Sequence, residues 1–230
     1  MVPFSEININ KDKLKQLHLD AIPKATKKAF LQCIAIPFFS KNDWYLAGGT
    51  ALALQTGHRS SIDLDFFTFK KSFDEKNAEE TLSIHGDWKT SFLKPKTLYG
   101  ELSGAKISLI SYPFLKASEP FLKIGSVRLM QPKDIAVMKI VAISQRGKKR
   151  DFFDLYWLSL NVQPLEKTID MVMKQYSVKQ NLSHIIKSLT YFDDAEEDPN
   201  PKIYFNATWK DVKQFFQREI ENNIGYKTFF

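Results

Sequence analysis

The chain has 230 residues and a formal net charge of +7, from 33 basic and 26 acidic side chains. That length holds one large domain, or one domain with a helical appendage, and 43% hydrophobic residues can build a substantial core. A single cysteine, Cys33, excludes an internal disulfide and any cysteine-rich metal site, and no apolar run approaches the roughly 20 residues of a membrane span.

The first residues, MVPFSEININKDK, lack the basic-then-apolar layout of a signal peptide, so a soluble cytoplasmic protein with no membrane partner is expected. The basic balance favours anionic partners: nucleotides, RNA or an acidic protein. It is also ordinary for a soluble domain.

In chain order, residues 1–20 are polar and predict an irregular arm or short helix. Residues 24–36 place Ala25, Phe30, Leu31, Ile34 and Ile36 at mostly helical spacing. The apolar run 44–47 reads as a buried strand, Gly48-Gly49-Thr50 as a turn into a short helix, and Gly57 as its left-handed stop. A second strand is predicted over 61–67, with Ile62, Leu64 and Phe66 facing a core. A helix over 73–84, ending at Gly86, precedes three β-like runs, 88–93, 97–102 and 106–112. Their separators have turn chemistry, so they predict an antiparallel meander. After a short strand at 127–130, a helix starts at Pro132 and is apolar on nearly every face from 135 to 143. Helices follow over 150–160, 165–176 and 178–189. An acidic, proline-containing loop (193–201) leads to a last helix capped by Thr208, with Trp209, Val212, Phe215, Phe216 and Ile220 as its core stripe. The expected fold class is α/β (α+β), a mixed sheet flanked by helices and followed by helices. The domain shift is placed near residue 161, giving domains 1–161 and 162–230.

Asp63 and Asp65 alternate along the second strand, so both carboxylates share a face with α-carbons roughly 6–7 Å apart. Two such charges repel unless a cation intervenes. Mg²⁺ suits them, because it is commonly held by one or two carboxylates and completed by substrate phosphates. The glycine turn supplies a complementary element, since a helix N-terminus with close backbone N–H groups favours anions. A plain strand-to-helix turn has the same backbone. Phosphate turn, helix, then an Asp-x-Asp strand is the layout of nucleotidyltransferases.

The segments GGTALAL (48–54) and HRSSIDLDFF (58–67), with QPKDIAVMKIVAISQRGKKRDFFDLYWL (131–158) in order after them, resemble the AbiEii/AbiGii toxin family of nucleotidyltransferase-fold proteins from abortive-infection and toxin–antitoxin systems. The resemblance implies a Mg²⁺- or Mn²⁺-dependent transfer of a nucleoside monophosphate from an NTP to a hydroxyl of tRNA or protein, and a cognate antitoxin as partner. Two other readings are a catalytically degenerate nucleotide- or RNA-binding module and a small-molecule transferase of the antibiotic-modifying kind.

The resemblance also assigns residues. Asp63 and Asp65 hold the metal, and Gly48, Gly49 and Thr50 hold phosphates. Arg59 and Ser61 complete an Arg-x-Ser-x-Asp-x-Asp match, Arg59 either neutralising phosphate or pairing with an aspartate. Asp134 and Lys139 match an Asp-then-Lys motif, and Asp154 ends the second block; Lys139 and Asp154 are thereby expected to be catalytic. Lys139 lies in an apolar helix, where its ammonium either meets a site or snorkels to the surface. Asp151 supports the site or compensates a helix dipole. The run Lys148-Lys149-Arg150 could touch phosphates, and His58 is expected at the surface. Family members often carry Lys-x-Asp where this chain has Lys106-Ile107-Ser108, so Ser108 replaces an expected third carboxylate, which Asp154 or Glu101 could supply instead.

Overall fold

A computed structural model describes residues 11–224. The elements in order are α1 (Lys11–Lys15), α2 (Lys24–Ala35), α3 (Phe38–Lys41), β1 (Tyr45–Ala47), α4 (Gly48–Thr56), β2 (Leu64–Thr68) and α5 (Glu75–His85). Strands β3 (Lys89–Lys94), β4 (Thr97–Leu102), β5 (Ala105–Ser111), β6 (Leu122–Ile124) and β7 (Val127–Leu129) follow. Helices α6 (Pro132–Arg146), α7 (Lys149–Asn161), α8 (Leu165–Gln175), α9 (Leu182–Leu189), α10 (Asp193–Glu196) and α11 (Trp209–Glu219) complete the chain, with a π-helical turn at Ile220–Ile224. No helix is long and apolar enough to cross a membrane among the described residues. The N-terminal arm expected over residues 1–10 lies outside them.

The strands form one seven-stranded mixed sheet in the order β3-β4-β5-β2-β1-β7-β6. β2 is parallel to β5 and β1 to β7, and the other neighbours are antiparallel. The meander β3-β4-β5 arises where local chemistry demands it. Lys96 takes φ +71° after Pro95, and Ser103 and Gly104 take +52° and +77°, as a two-residue hairpin loop requires. The β6–β7 hairpin was not expected, although Gly125-Ser126 between LKI and VRL is the same two-residue signal. Three-residue strands are too short to show an alternation.

The chain divides into two compact units. The first holds the described residues up to Leu115 together with Pro120–Gln131, hence the whole sheet and α1–α5. Its core is built from Phe30 and Ile34 of α2, Phe39 of α3, Leu52 and Leu54 of α4, and Leu64 and Phe66 of β2, all fully buried. The second unit holds Lys116–Glu119 and everything described from Pro132 onward. The shift expected near residue 161 falls inside this unit, between α7 and α8, because α6 packs against α7, α8 and α9 alike. The Thr208–Asp211 capping box starts α11, and Phe152 meets Phe192 and Phe216 at 5.4 and 5.6 Å between ring centroids.

Capping side chains trim two predicted helices. Asp74 accepts from the Asn77 N–H at 3.0 Å, so α5 begins at Glu75 rather than at residue 73. Asn181 accepts from the His184 N–H at 3.1 Å and starts α9 at Leu182 rather than at 178.

Candidate active site

In the first unit β1 leads directly into α4. Gly48 takes φ +70°, a conformation costly for any residue with a side chain. Gly49 is required for a different reason: a Cβ there would lie 2.2 Å from Arg59 Nη2. The guanidinium of Arg59, only 4% exposed, fills the space that Gly49 leaves empty and donates through Nη1 to the Ser60 carbonyl at 2.7 Å. No side chain caps α4 at its N-terminus, and the first N–H groups of a helix have no partner within it. The turn therefore combines oriented N–H groups with a fixed positive charge behind them.

Thr50 faces inward. Its hydroxyl donates to the Asp63 carbonyl and lies 2.8 Å from Ser61 Oγ, so it staples the start of α4 to the segment leading into β2. The hydroxyl is thereby engaged within the protein. The same bonds explain why β2 starts at Leu64 and not at Ser61. The Ser61 N–H donates to the Ala21 carbonyl and the Asp63 carbonyl takes the Thr50 hydroxyl, so these groups are satisfied outside the sheet. Ile62 is consequently 54% exposed instead of joining the core, while Leu64 and Phe66 are fully buried. His58, expected at the surface, is 3% exposed, its Nδ1 3.0 Å from the Thr56 hydroxyl. The left-handed turn at Gly57, φ +64°, redirects the chain just before it.

Asp65 lies within β2 and Asp63 immediately before it, both half-buried. A Cβ on Gly48 would sit 3.4 Å from Asp65 Oδ2, so the phosphate-type turn and this carboxylate are adjacent. On the other flank, Ser108 is the register partner of Asp65 in β5, and its Oγ donates to Asp65 Oδ1 at 2.8 Å. The position expected to carry a third carboxylate is thus beside the aspartates and holds a hydroxyl. Glu101 pairs in register with Lys106 on one side and Lys89 on the other, two residues along the strand from the row of Ser108.

The second unit carries a buried charge cluster. Lys139, 5% exposed, does not snorkel: its ammonium lies 2.6 Å from Asp151 Oδ1 and 2.6 Å from Asp154 Oδ2. Both aspartates are fully buried on α7. Burial alone would raise Asp151, but the Lys139 ammonium and the Arg146 guanidinium, 2.8 Å away, outweigh it and hold the carboxyl below its ordinary range. Asp151 is therefore an ion-pair partner, more than a dipole-compensating residue. Asp134 does not pair with Lys139. It accepts from the Ser118 N–H and hydroxyl, the Glu119 N–H and the Gln175 amide, and so clamps residues 118–119 onto α6 and α8.

The basic run at the start of α7 is largely committed within the protein. Lys149 donates to the carbonyls of Glu196 and Asp198 at 3.0 and 2.7 Å, and Lys148 pairs with Asp198 at 3.1 Å. Two of its three cations are therefore occupied by the loop around α10.

A mixed sheet with an Asp-x-Asp strand, next to a glycine-opened helix N-terminus and followed by helices, defines a nucleotidyltransferase-like fold. Residues 29–99 and 99–223 match the family described as nucleotidyl transferase AbiEii toxin, type IV TA system, and the chain belongs to that family. An uncharacterized protein of Aquifex aeolicus (strain VF5) is 40% identical over 190 residues, covering 80% of this chain and 89% of that one. Among solved structures, MenT4, a nucleotidyltransferase toxin from Mycobacterium tuberculosis, is similar with a TM-score of 0.49 at 11% identity, covering 90% of this chain and 88% of that one. JHP933 from Helicobacter pylori is similar with a TM-score of 0.46 at 17% identity, covering 96% and 98%.

Proposed function

We propose that the chain transfers a nucleoside monophosphate from an NTP to a hydroxyl acceptor on tRNA or protein, with Asp63 and Asp65 as its metal-binding carboxylates. The observation that carries this reading is the position of Asp65, adjacent to the uncapped α4 turn on one flank and to Ser108 on the other. Triphosphate oxygens would meet the N–H groups of Gly48, Gly49 and Thr50, with Arg59 and Ser61 fixing the turn from behind.

The donor set fits Mg²⁺ or Mn²⁺ only as an ion shared with substrate. Among the described residues no three His, Cys, Asp or Glu side chains converge on one point, so two carboxylates are completed by phosphate oxygens and water. When bound there, such an ion would neutralise phosphate charge and lower the pKa of a coordinated acceptor hydroxyl. In the transfer, the acceptor oxygen bonds to the α-phosphorus and the bond from that phosphorus to the β-bridging oxygen breaks. Pyrophosphate leaves, and the acceptor proton passes to solvent because Ser108 is no base. The proposal includes Lys139 and Asp154 as a paired ammonium and carboxylate required for activity, with Asp151 and Asp134 supporting them. A cognate antitoxin is the proposed regulatory partner.

Ser108 favours one second reading, a nucleotide-binding module that has lost turnover. Incubation with α-labelled NTPs, Mg²⁺ and either cellular RNA or cellular protein separates the two. Label in one acceptor class supports the transferase. Tight nucleotide binding with no labelled acceptor supports the module.

A further inference from the structure

The row of the sheet that contains Asp65 continues across three strands. Asp65 pairs with Ser108, Ser108 with Tyr99, and Tyr99 with Phe92. Directly opposed residues of neighbouring strands share a face. In β4 that face is the open one, because the intervening Leu98 and Leu102 are fully buried on the other. Phe92 and Tyr99 are 43% and 38% exposed, and their rings stack at 5.6 Å with planes inclined by 28°. Lys94 Nζ lies over the Phe92 ring at 5.3 Å, and Lys89 and Lys106 flank Glu101 in register.

Two exposed aromatic side chains on one patch need a reason. Pairing of the edge strand β3 with another strand is an unsuitable one. β3 carries a register irregularity between Thr90 and Phe92 and lysines at both ends, devices that discourage edge-to-edge pairing. What the patch offers is a π-surface with ammonium groups around it, the combination that holds single-stranded nucleic acid through base stacking and phosphate contacts.

We infer that Phe92 and Tyr99 form a shelf on which an unpaired nucleobase of an RNA acceptor stacks, with Lys89 and Lys94 on its phosphates. This rests on the reading of Asp63 and Asp65 as the transferase carboxylates, and it selects RNA over protein as acceptor. The flank decides the assignment. The α4 turn lies on the β1 side of Asp65, where the triphosphate is placed, and the shelf lies on the opposite side, beyond Ser108. Tyr99 stands two strands from Asp65, about 10 Å, which is the scale of one nucleotide.

The test is the binding of a short fluorescein-labelled single-stranded oligoadenylate, by anisotropy, without nucleotide or divalent ion. Wild type is expected to bind it more tightly than a duplex of the same length. Phe92→Ala with Tyr99→Ala should weaken binding about 5- to 150-fold per base unstacked. Tyr99→Phe should retain it. Lys89→Ala with Lys94→Ala should weaken binding and flatten its salt dependence. All these side chains are exposed, so thermal unfolding should be unchanged and loss of fold is separable. Equal binding by the double-alanine variant, equal affinity for duplex, or no RNA binding by wild type would each overturn the shelf. Asp63→Asn with Asp65→Asn should bind the oligonucleotide normally. Its failure to lose nucleotide binding would instead count against the transferase site and leave the shelf measurement intact.

Discussion

Lys139→Met removes an ammonium from between two fully buried carboxylates while keeping much of the aliphatic volume. Asp151 keeps Arg146, whose Nη2 and Nε lie 2.8 and 3.0 Å away, but Asp154 loses the ammonium 2.6 Å from it. Breaking a buried pair from one side typically destabilises by about 3–5 kcal/mol, because a desolvated charge is left behind. For a chain of this length each kcal/mol lowers the unfolding midpoint by about 2–4 °C, so a drop of about 6–20 °C is expected by scanning calorimetry. The pH dependence gives the sign. Asp151 is held below its ordinary range in the folded protein. A carboxylate depressed in this way contributes stability that is fully present above its unfolded value of about 3.9 and is lost as pH falls through the folded value. Lys139→Met removes the largest opposing charge, so less of this contribution remains to be lost in acid. The gap between wild type and variant should therefore hold from neutrality to about pH 4 and narrow as pH falls below about 3.9. A loss under about 1 kcal/mol, the value of an exposed ion pair, would refute the argument. So would a gap that widens in acid.

Gly48→Ala must adopt φ +70° with a side chain and should destabilise by about 1–2 kcal/mol in urea titration; a neutral result would mean the turn relaxes freely. Thr50→Val removes the hydroxyl bonded to the Asp63 carbonyl and should destabilise by about 0.5–1.5 kcal/mol, with weaker nucleotide binding as the carboxylate strand loosens. Ser108→Asp places a third carboxylate against Asp65, which should lower stability without metal and enlarge the Mg²⁺-dependent rise in melting temperature. An unchanged response to Mg²⁺ would remove Ser108 from the metal neighbourhood.

Much of this was legible in the sequence because the signals were local. The alternation through Asp63, Leu64 and Asp65, the turn chemistry at Pro95-Lys96 and Ser103-Gly104, and the Thr208 cap each specify backbone within a few residues. The position of Ser108 beside Asp65 was implied by the family resemblance, which aligned Lys106-Ile107-Ser108 with the strand of the third carboxylate. What was not legible depended on partners distant in sequence or on side-chain packing. The aspartates that hold Lys139 sit on the following helix, beyond a turn whose angle no periodicity reports. Arg59 filling the place of a Gly49 side chain looks, in sequence, like a phosphate-binding arginine beside a flexible turn. Burial of His58 and exposure of Ile62 both follow from the path between Gly57 and Leu64, which hydrogen bonds to Ala21, Thr26 and Thr50, all distant in sequence, help to hold. The shelf was hidden because Phe92 and Tyr99 read as ordinary strand residues until the register brought them into the row of Asp65.

The most direct test of the central claim is calorimetric titration of Mg·NTP into wild type and into the Asp63→Asn, Asp65→Asn double variant. The site described here predicts divalent-dependent binding to wild type and its loss in the variant, with the thermal midpoint of the metal-free protein unchanged or raised as mutual repulsion is removed. Equal affinity for Mg·NTP in the two proteins would contradict it.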